Sequence, residues 1–181
     1  MRVFLKPFAA SAALLAVSLV VPASAKASEA EDRFAIMELM DRYGVVHDFG
    51  SPDEYADLFT PDGEIAISGG PVVVKGRDAL VAQAKRDHEK YVSPTGPNGE
   101  NESFMRHIVT NRLVKLTGAD SAEGSCYVIT LVRDGSNGPA LLSFGRYADR
   151  YVRQAGEWKI AHREIKLDFG NQALGEKLGF R

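Results

Sequence analysis

Phe104-Met105-Arg106-His107-Ile108-Val109-Thr110-Asn111-Arg112-Leu113-Val114-Lys115-Leu116 is the stretch whose reading decides the fold. It reads as a long strand, and three more strand candidates follow at 124–133, 140–153 and 157–169. Turn signals separate them at 117–122, 134–139 and 154–156. Consecutive long strands joined by short turns predict an antiparallel meander. In the first strand His107 is expected to share one face with Met105, Val109, Asn111 and Leu113, because side chains alternate along a strand.

Upstream the periodicity changes. Ile36, Met40, Tyr43 and His47 fall at spacings of four, three and four, one face of a helix predicted over 28–49. Phe34, Met37 and Leu39 widen that face. Gly50 breaks it, and Ser51-Pro52-Asp53-Glu54 starts a second helix: Ser51 caps, Pro52 suits the first turn, and Glu54 completes a capping box. This helix is expected to end near Thr60-Pro61. Asp62-Gly63 then turns into a short strand over 64–68, and Gly69-Gly70-Pro71 turns back into Val72-Val73-Val74. Gly76-Arg77-Asp78 leads a helix through about 90. The Pro- and Gly-rich stretch 92–103 reads as an exposed loop, and 171–181 as a weakly specified tail. No internal repeat or low-complexity linker interrupts the order. Helices, a hairpin and another helix, then four long strands, make an α+β domain with helices covering one face of a curved sheet.

The front end stands apart. Arg2 and Lys6 precede an apolar run from Ala9 to Val21, and Ala23-Ser24-Ala25 supplies the small residues a signal peptidase reads. Residues 1–25 are therefore expected to be a signal peptide, with an apolar run too short for a stop-transfer helix. Losing Arg2 and Lys6 leaves 20 basic against 24 acidic residues, net −4. A mildly acidic domain without a basic run gives no electrostatic reason to expect nucleic acid or an anionic membrane as partner. Cys126, the single cysteine, can form no internal disulfide, so an exported chain must rely on its core. The predicted compartment is periplasmic or extracellular. Asn101-Glu102-Ser103 is a glycosylation sequon by pattern.

The chemistry-bearing residues are few. Asp48 ends the first helix, where the negative partial charge of the helix C-terminus makes a carboxylate a poor choice for stability. His107 lies in the first long strand. If the fold joins them, Asp48 holds one imidazole tautomer and His107 abstracts a proton. Tyr43 is a candidate acid or oxyanion donor, although five helical residues turn about 140° and separate it from Asp48. Asn111, Tyr147 and His47 are candidate pocket-lining residues. His88, among Lys85, Arg86, Asp87 and Glu89, reads as part of a solvated helix face. His162, Glu164 and Asp168 alternate on one face of the last strand, better explained by a polar outer surface than by a metal site. Cys126 reads as a buried strand cysteine. No phosphate loop, nucleotide fingerprint or Ser–His–Asp motif is present.

Taken in order, Asp41-Arg42-Tyr43, Asp48, Tyr55-Ala56-Asp57-Leu58-Phe59-Thr60-Pro61-Asp62-Gly63, Val74-Lys75-Gly76-Arg77, Arg106–Asn111, Gly145-Arg146-Tyr147 and Gly156-Glu157-Trp158-Lys159-Ile160 resemble the SnoaL-like domains of the nuclear transport factor 2-like superfamily. The resemblance covers about 31–169, within a domain expected over 28–170. It implies a cone: a strongly bent, mostly antiparallel sheet wrapped around the long N-terminal helix, enclosing a small-molecule pocket and often dimerising through the outer sheet face. Scytalone dehydratase, hexachlorocyclohexane dehydrochlorinase and bile acid 7α-dehydratase share an aspartate and a histidine at positions that look like Asp48 and His107. The last also has a tyrosine matching Tyr43. All three carry out eliminations. Their substrate-recognising residues are not matched: Thr130, Gly145, Tyr147 and Leu167 stand where those enzymes place an aspartate, a serine, an asparagine and an arginine. The resemblance implies a cofactor-independent acid–base lyase, hydratase or isomerase, without a metal, acting on a small apolar cyclic molecule as a homodimer. The rival expectations are a periplasmic ligand-binding domain and, less compatible with the leader, a partner subunit.

Overall fold

Ser28 starts the first helix by a capping box: its hydroxyl accepts from the Glu31 N–H while the Glu31 carboxylate accepts from the Ser28 N–H. The computed structural model describes residues 28–67, 69–94, 101–133 and 138–179, so the leader predicted at 1–25 lies outside the described residues. Helix α1 (Glu29–Phe49) buries Ile36, Leu39, Met40, Tyr43 and His47 of the predicted face, together with Asp48, while Phe34, expected to widen that face, is 65% exposed and Met37 is half-buried. Ser51 caps α2 in the same way, with Pro52 in its first turn.

Helix α2 (Pro52–Ala56) is shorter than its sequence predicts. The Leu58 carbonyl accepts from the Ile160 N–H, so the sheet captures the chain before another turn forms. Strand β1 (Phe59–Ile67) runs through Pro61, and its register against the last strand is broken between Phe59 and Glu64, where a residue without an N–H can be carried. Strand β2 (Val72–Lys75) pairs back on β1, and α3 (Arg77–Tyr91) follows. The expected loop at 92–103 contains a small antiparallel pair, β3 (Val92–Pro94) with β4 (Asn101–Ser103); residues 95–100 lie outside the described residues.

The four long strands are β5 (Met105–Gly118), β6 (Ser121–Arg133), β7 (Pro139–Gln154) and β8 (Glu157–Gly170). They form the predicted antiparallel meander, and β1 adds to β8 in parallel, giving the order β2-β1-β8-β7-β6-β5. The tail carries one short helix, α4 (Gln172–Lys177). This α+β arrangement is a curved, open, six-stranded sheet with α1 packed on its inner face. The core gathers Ile36, Met40 and Tyr43 of α1, Tyr55 and Leu58, Leu80 of α3, and Cys126, Val128, Tyr147, Tyr151 and Ile160 of the sheet.

Two glycines set how closely α1 approaches. A Cβ at Gly44 would lie 2.7 Å from the His107 carbonyl oxygen, and one at Gly124 2.6 Å from the Met40 Cε. At Gly44 the atom met is backbone, so only hydrogen there lets the helix lie directly on β5; at Gly124 the nearest atom is the flexible end of Met40.

β5 departs from simple alternation. Its register against β6 passes from Thr110–Tyr127 to Leu113–Ser125, three residues against two, and Asn111 has φ +53. This bulge flips the facing of every later residue. His107 and Val109 face α1 before it; after it Arg112, Val114 and Leu116 do, while Leu113 is 70% exposed. The expected common face of His107, Asn111 and Leu113 is therefore not formed.

Candidate active site

Asp48 and His107 meet. The Asp48 Oδ2 accepts the His107 backbone N–H at 2.9 Å, and its Oδ1 lies 2.7 Å from the His107 Nδ1. Residue 48 enters the interior because α1 ends against the start of β5, where Gly44 permits contact. Both carboxylate oxygens are engaged, so the side chain is clamped to strand and ring together. An ionised carboxylate accepts only, which places the proton on Nδ1 and leaves Nε2 with a free lone pair. Among the described residues nothing hydrogen-bonds to that Nε2. The unfavourable position of a carboxylate at a helix end is offset by these two charge-assisted bonds. The Asp48 side chain retains 3% of its accessible surface and that of His107 10%.

A second imidazole lies against the first. The His47 ring centroid is 4.5 Å from that of His107, with the planes tilted by 33°. The His47 Nε2 faces the Asp87 Oδ2 at 3.4 Å, while its Nδ1 is buried without a partner. Burial, and then the adjacent His107, bring the His47 pKa down to about 4, against the opposing pull of Asp87. Burial would raise the Asp87 carboxyl, but the His47 and Gln83 hydrogen bonds outweigh it and hold it below its ordinary value. The face of α3 expected to be solvated is thus partly buried. Asp87 serves His47, and the His88 Nε2–H donates to the His47 carbonyl at 2.9 Å, as does the Tyr91 hydroxyl at 3.0 Å. These donors satisfy the carbonyl end of α1.

Tyr43 is fully buried and lies behind His47, ring centroids 5.5 Å apart, with its hydroxyl 3.2 Å from that of Tyr55. Burial pushes the Tyr43 phenol above its usual range, partly opposed by Arg163, so it stays protonated and can donate. Tyr147 packs edge-on against Tyr43. Asn111 is on the outer face, its amide oxygen accepting from Thr110, and lines a shallow depression with Arg112, Leu113 and Cys126. Burial drives the Cys126 thiol up to about 11.

Sequence reasoning did not single out Arg163. Its side chain is fully buried, bonded through Nε and Nη2 to both Asp149 oxygens at 2.9 and 2.6 Å. Its guanidinium carbon lies 3.9 Å from the Tyr43 ring centroid and 4.1 Å from that of Tyr147, and its Nη1 has no partner. Burial opposes the charge, but Asp149 more than restores it, so the guanidinium stays protonated. Alternation from the buried Trp158 and Ile160 would turn Arg163 outward; the register shift between Ile160 and His162 against β7 turns it inward, and that shift leaves no periodic trace in the sequence.

Among the described residues, four cavities lie away from the dyad. One of about 710 Å³, lined by Tyr127, Leu131, Leu141, Phe144 and Arg146 among others, and one of about 540 Å³ beside His162 and Glu164 lie on the outer sheet face. The others adjoin Asn111 and the Asp32–Trp158 region. None of these four has Asp48, His107 or Tyr43 on its wall.

A family model described as a SnoaL-like domain matches residues 28–164. Among solved structures, an NTF2-like protein with a cystatin-like fold from Novosphingobium aromaticivorans is 25% identical, with a TM-score of 0.64 over 82% of this chain and 90% of the other. A Catenulispora acidiphila protein in complex with S-DNPA is 26% identical, with a TM-score of 0.61 over 77% of this chain and 96% of its own. LinA is 22% identical, with a TM-score of 0.61 over 77% and 88%, a likeness of fold. A search of curated proteins finds no match.

Proposed function

The chain belongs to the SnoaL-like domain family, and from that premise we propose that it is an exported acid–base enzyme, a lyase (dehydratase) or isomerase acting on a small, apolar, cyclic molecule without a cofactor. The observation carrying this reading is the double clamp of Asp48 on His107. It supports a neutral imidazole with one fixed tautomer and a lone pair at Nε2, the state a general base requires. The substrate C–H gives its proton to Nε2; the resulting imidazolium keeps Nδ1–H on the Asp48 carboxylate, which offsets the new charge. Tyr43, kept protonated, is the candidate donor to a leaving group or developing oxyanion, with Tyr147 and His47 against it. The apolar interior strengthens each such contact.

A panel of cyclic alcohols and enolisable ketones incubated in D2O tests the reading. Deuterium should enter, or water should leave, one class of compound with the native chain, and neither should occur with Asp48→Asn or His107→Gln that retain native circular dichroism. Full activity in either variant contradicts the assignment.

A ligand-binding domain without chemistry is the second reading, supported by the packing around the dyad and by a neighbour that holds a ligand. Saturable binding of a panel member without turnover or deuterium uptake selects it. We place a homodimer contact on the outer sheet face, where Tyr127, Leu113, Ile108, Phe144, Leu167 and Phe169 expose apolar surface. The leader at 1–25 remains part of the proposal, to be tested by the N-terminal mass of the exported protein.

A further inference from the structure

We propose that His47 is a positioning residue whose neutral ring, oriented by Asp87 and Gln83, stabilises the imidazolium that forms on His107. The inference rests on the reading of His107 as the base and adds a second carboxylate–imidazole pair behind it.

The geometry is specific. The Asp87 Oδ2 faces the His47 Nε2 at 3.4 Å and receives the Gln83 Nε2–H at 3.5 Å. A carboxylate accepts only, so His47 carries its proton on Nε2 and leaves Nδ1 bare, the opposite tautomer to His107. The His47 ring is wedged among Tyr43, Tyr55 and Tyr91, with centroids 5.5, 5.0 and 6.0 Å away. Its other neighbour is the His107 ring at 4.5 Å. A cation within about 6 Å of an aromatic ring is attracted to it, and more so where water is excluded.

The arrangement works only while His47 stays neutral, since two adjacent imidazolium ions would repel. Its pKa of about 4 keeps it neutral near pH 7. The ionisable groups around the two rings are consistent with this division. Asp48 on α1 serves His107. Asp87 and His88 on α3 reach the His47 side chain and carbonyl respectively. Tyr43, Tyr55 and Tyr91 are held protonated by burial. Arg106, next along β5, lies over the Phe49 ring. Thr130, opposite His107 on β6, is uncharged. When His107 takes a proton, the neutral His47 ring and the Asp87 carboxylate beyond it supply favourable charge distribution on the side away from Asp48.

The test needs no substrate. Imidazole nitrogens of isotope-labelled protein are followed by NMR across pH in the native chain and in His47→Phe, His47→Leu and Asp87→Asn. In the native chain His47 should be the Nε2–H tautomer and His107 the Nδ1–H tautomer. His47→Leu should weaken proton binding at His107 by roughly two- to thirtyfold, the range of a desolvated cation–ring contact. His47→Phe, which keeps a ring, should stay within about twofold of native, a contrast that loss of packing alone would not produce. Asp87→Asn should weaken proton binding and release the His47 tautomer. The proposal is overturned by Nδ1–H at His47 in the native chain, or by a folded His47→Leu or Asp87→Asn in which His107 titrates as in the native chain. Asp48→Asn is the separate arm: unchanged proton binding at His107 there removes the dyad reading itself, whatever the His47 variants show.

Discussion

Replacing His47 by leucine should remove one step from the acid denaturation of the protein. An unfolded histidine titrates near 6.5, whereas His47 in the fold is brought down to about 4. Between those values the unfolded chain binds a proton at this position and the native chain does not. Unfolding is therefore favoured progressively as pH falls from 6.5 to 4, and above 6.5 the residue contributes no pH dependence. The gap corresponds to about 3 kcal/mol. In the native chain the His47 bond holds the Asp87 carboxyl below its ordinary value; in the leucine variant burial pushes it up, which flattens the variant's curve further in the same direction. Urea unfolding, followed by the fluorescence of the single tryptophan, Trp158, should be measured at intervals from pH 7.5 to 4 for both proteins. Leucine lowers stability at neutral pH by leaving Asp87 with one fewer donor, but its curve should fall less steeply. The native chain should lose about 3 kcal/mol more than the variant across the window. Parallel curves would show that His47 takes up protons equally in both states and would refute the buried, neutral imidazole.

Three further outcomes follow from packing and charge. Gly44→Ala should destabilise by about 1–3 kcal/mol despite the better helix propensity of alanine, because its Cβ would meet the His107 carbonyl at 2.7 Å; thermal unfolding measures it, and a rise in Tm contradicts the close approach. Arg163→Met should cost about 3–5 kcal/mol by leaving the buried Asp149 carboxylate without its cation and with the Tyr151 hydroxyl as its remaining donor among the described residues, and pairing it with Asp149→Leu should recover much of that loss in a denaturant titration. The homodimer proposed on the outer sheet face predicts that Phe144→Asp shifts a sedimentation profile from dimer to monomer with circular dichroism unchanged, and a native chain that sediments as a monomer contradicts it.

The meander and the long helix were legible because their signals are local and repeated: spacings of four, three and four in α1, and turn residues between long strands. Ser51-Pro52-Asp53-Glu54 announced a helix start for the same reason. The end of α2 was not legible, since the Leu58 carbonyl is claimed by Ile160, a residue distant in sequence. The bulge at Asn111 was hidden because one residue with positive φ leaves no periodic trace, yet it reverses the facing of the strand beyond it. Asp48 and His107 were legible as a pair only through the family resemblance and the poor placement of a carboxylate at a helix end. Asp87 was lost among charged neighbours, because the alternation of buried and exposed positions on α3 depends on α1 lying against it. Arg163 was lost because a buried arginine reads as a surface residue until Asp149 is known to oppose it.

The most direct test of the central claim is a crystal structure of the protein with a bound member of the compound panel that exchanges deuterium. A C–H carbon of that ligand should lie in contact with the His107 Nε2, with Asp48 still bridging the backbone N–H and Nδ1. A ligand seated only in the outer-face cavities, with no atom in contact with His107, would contradict the account.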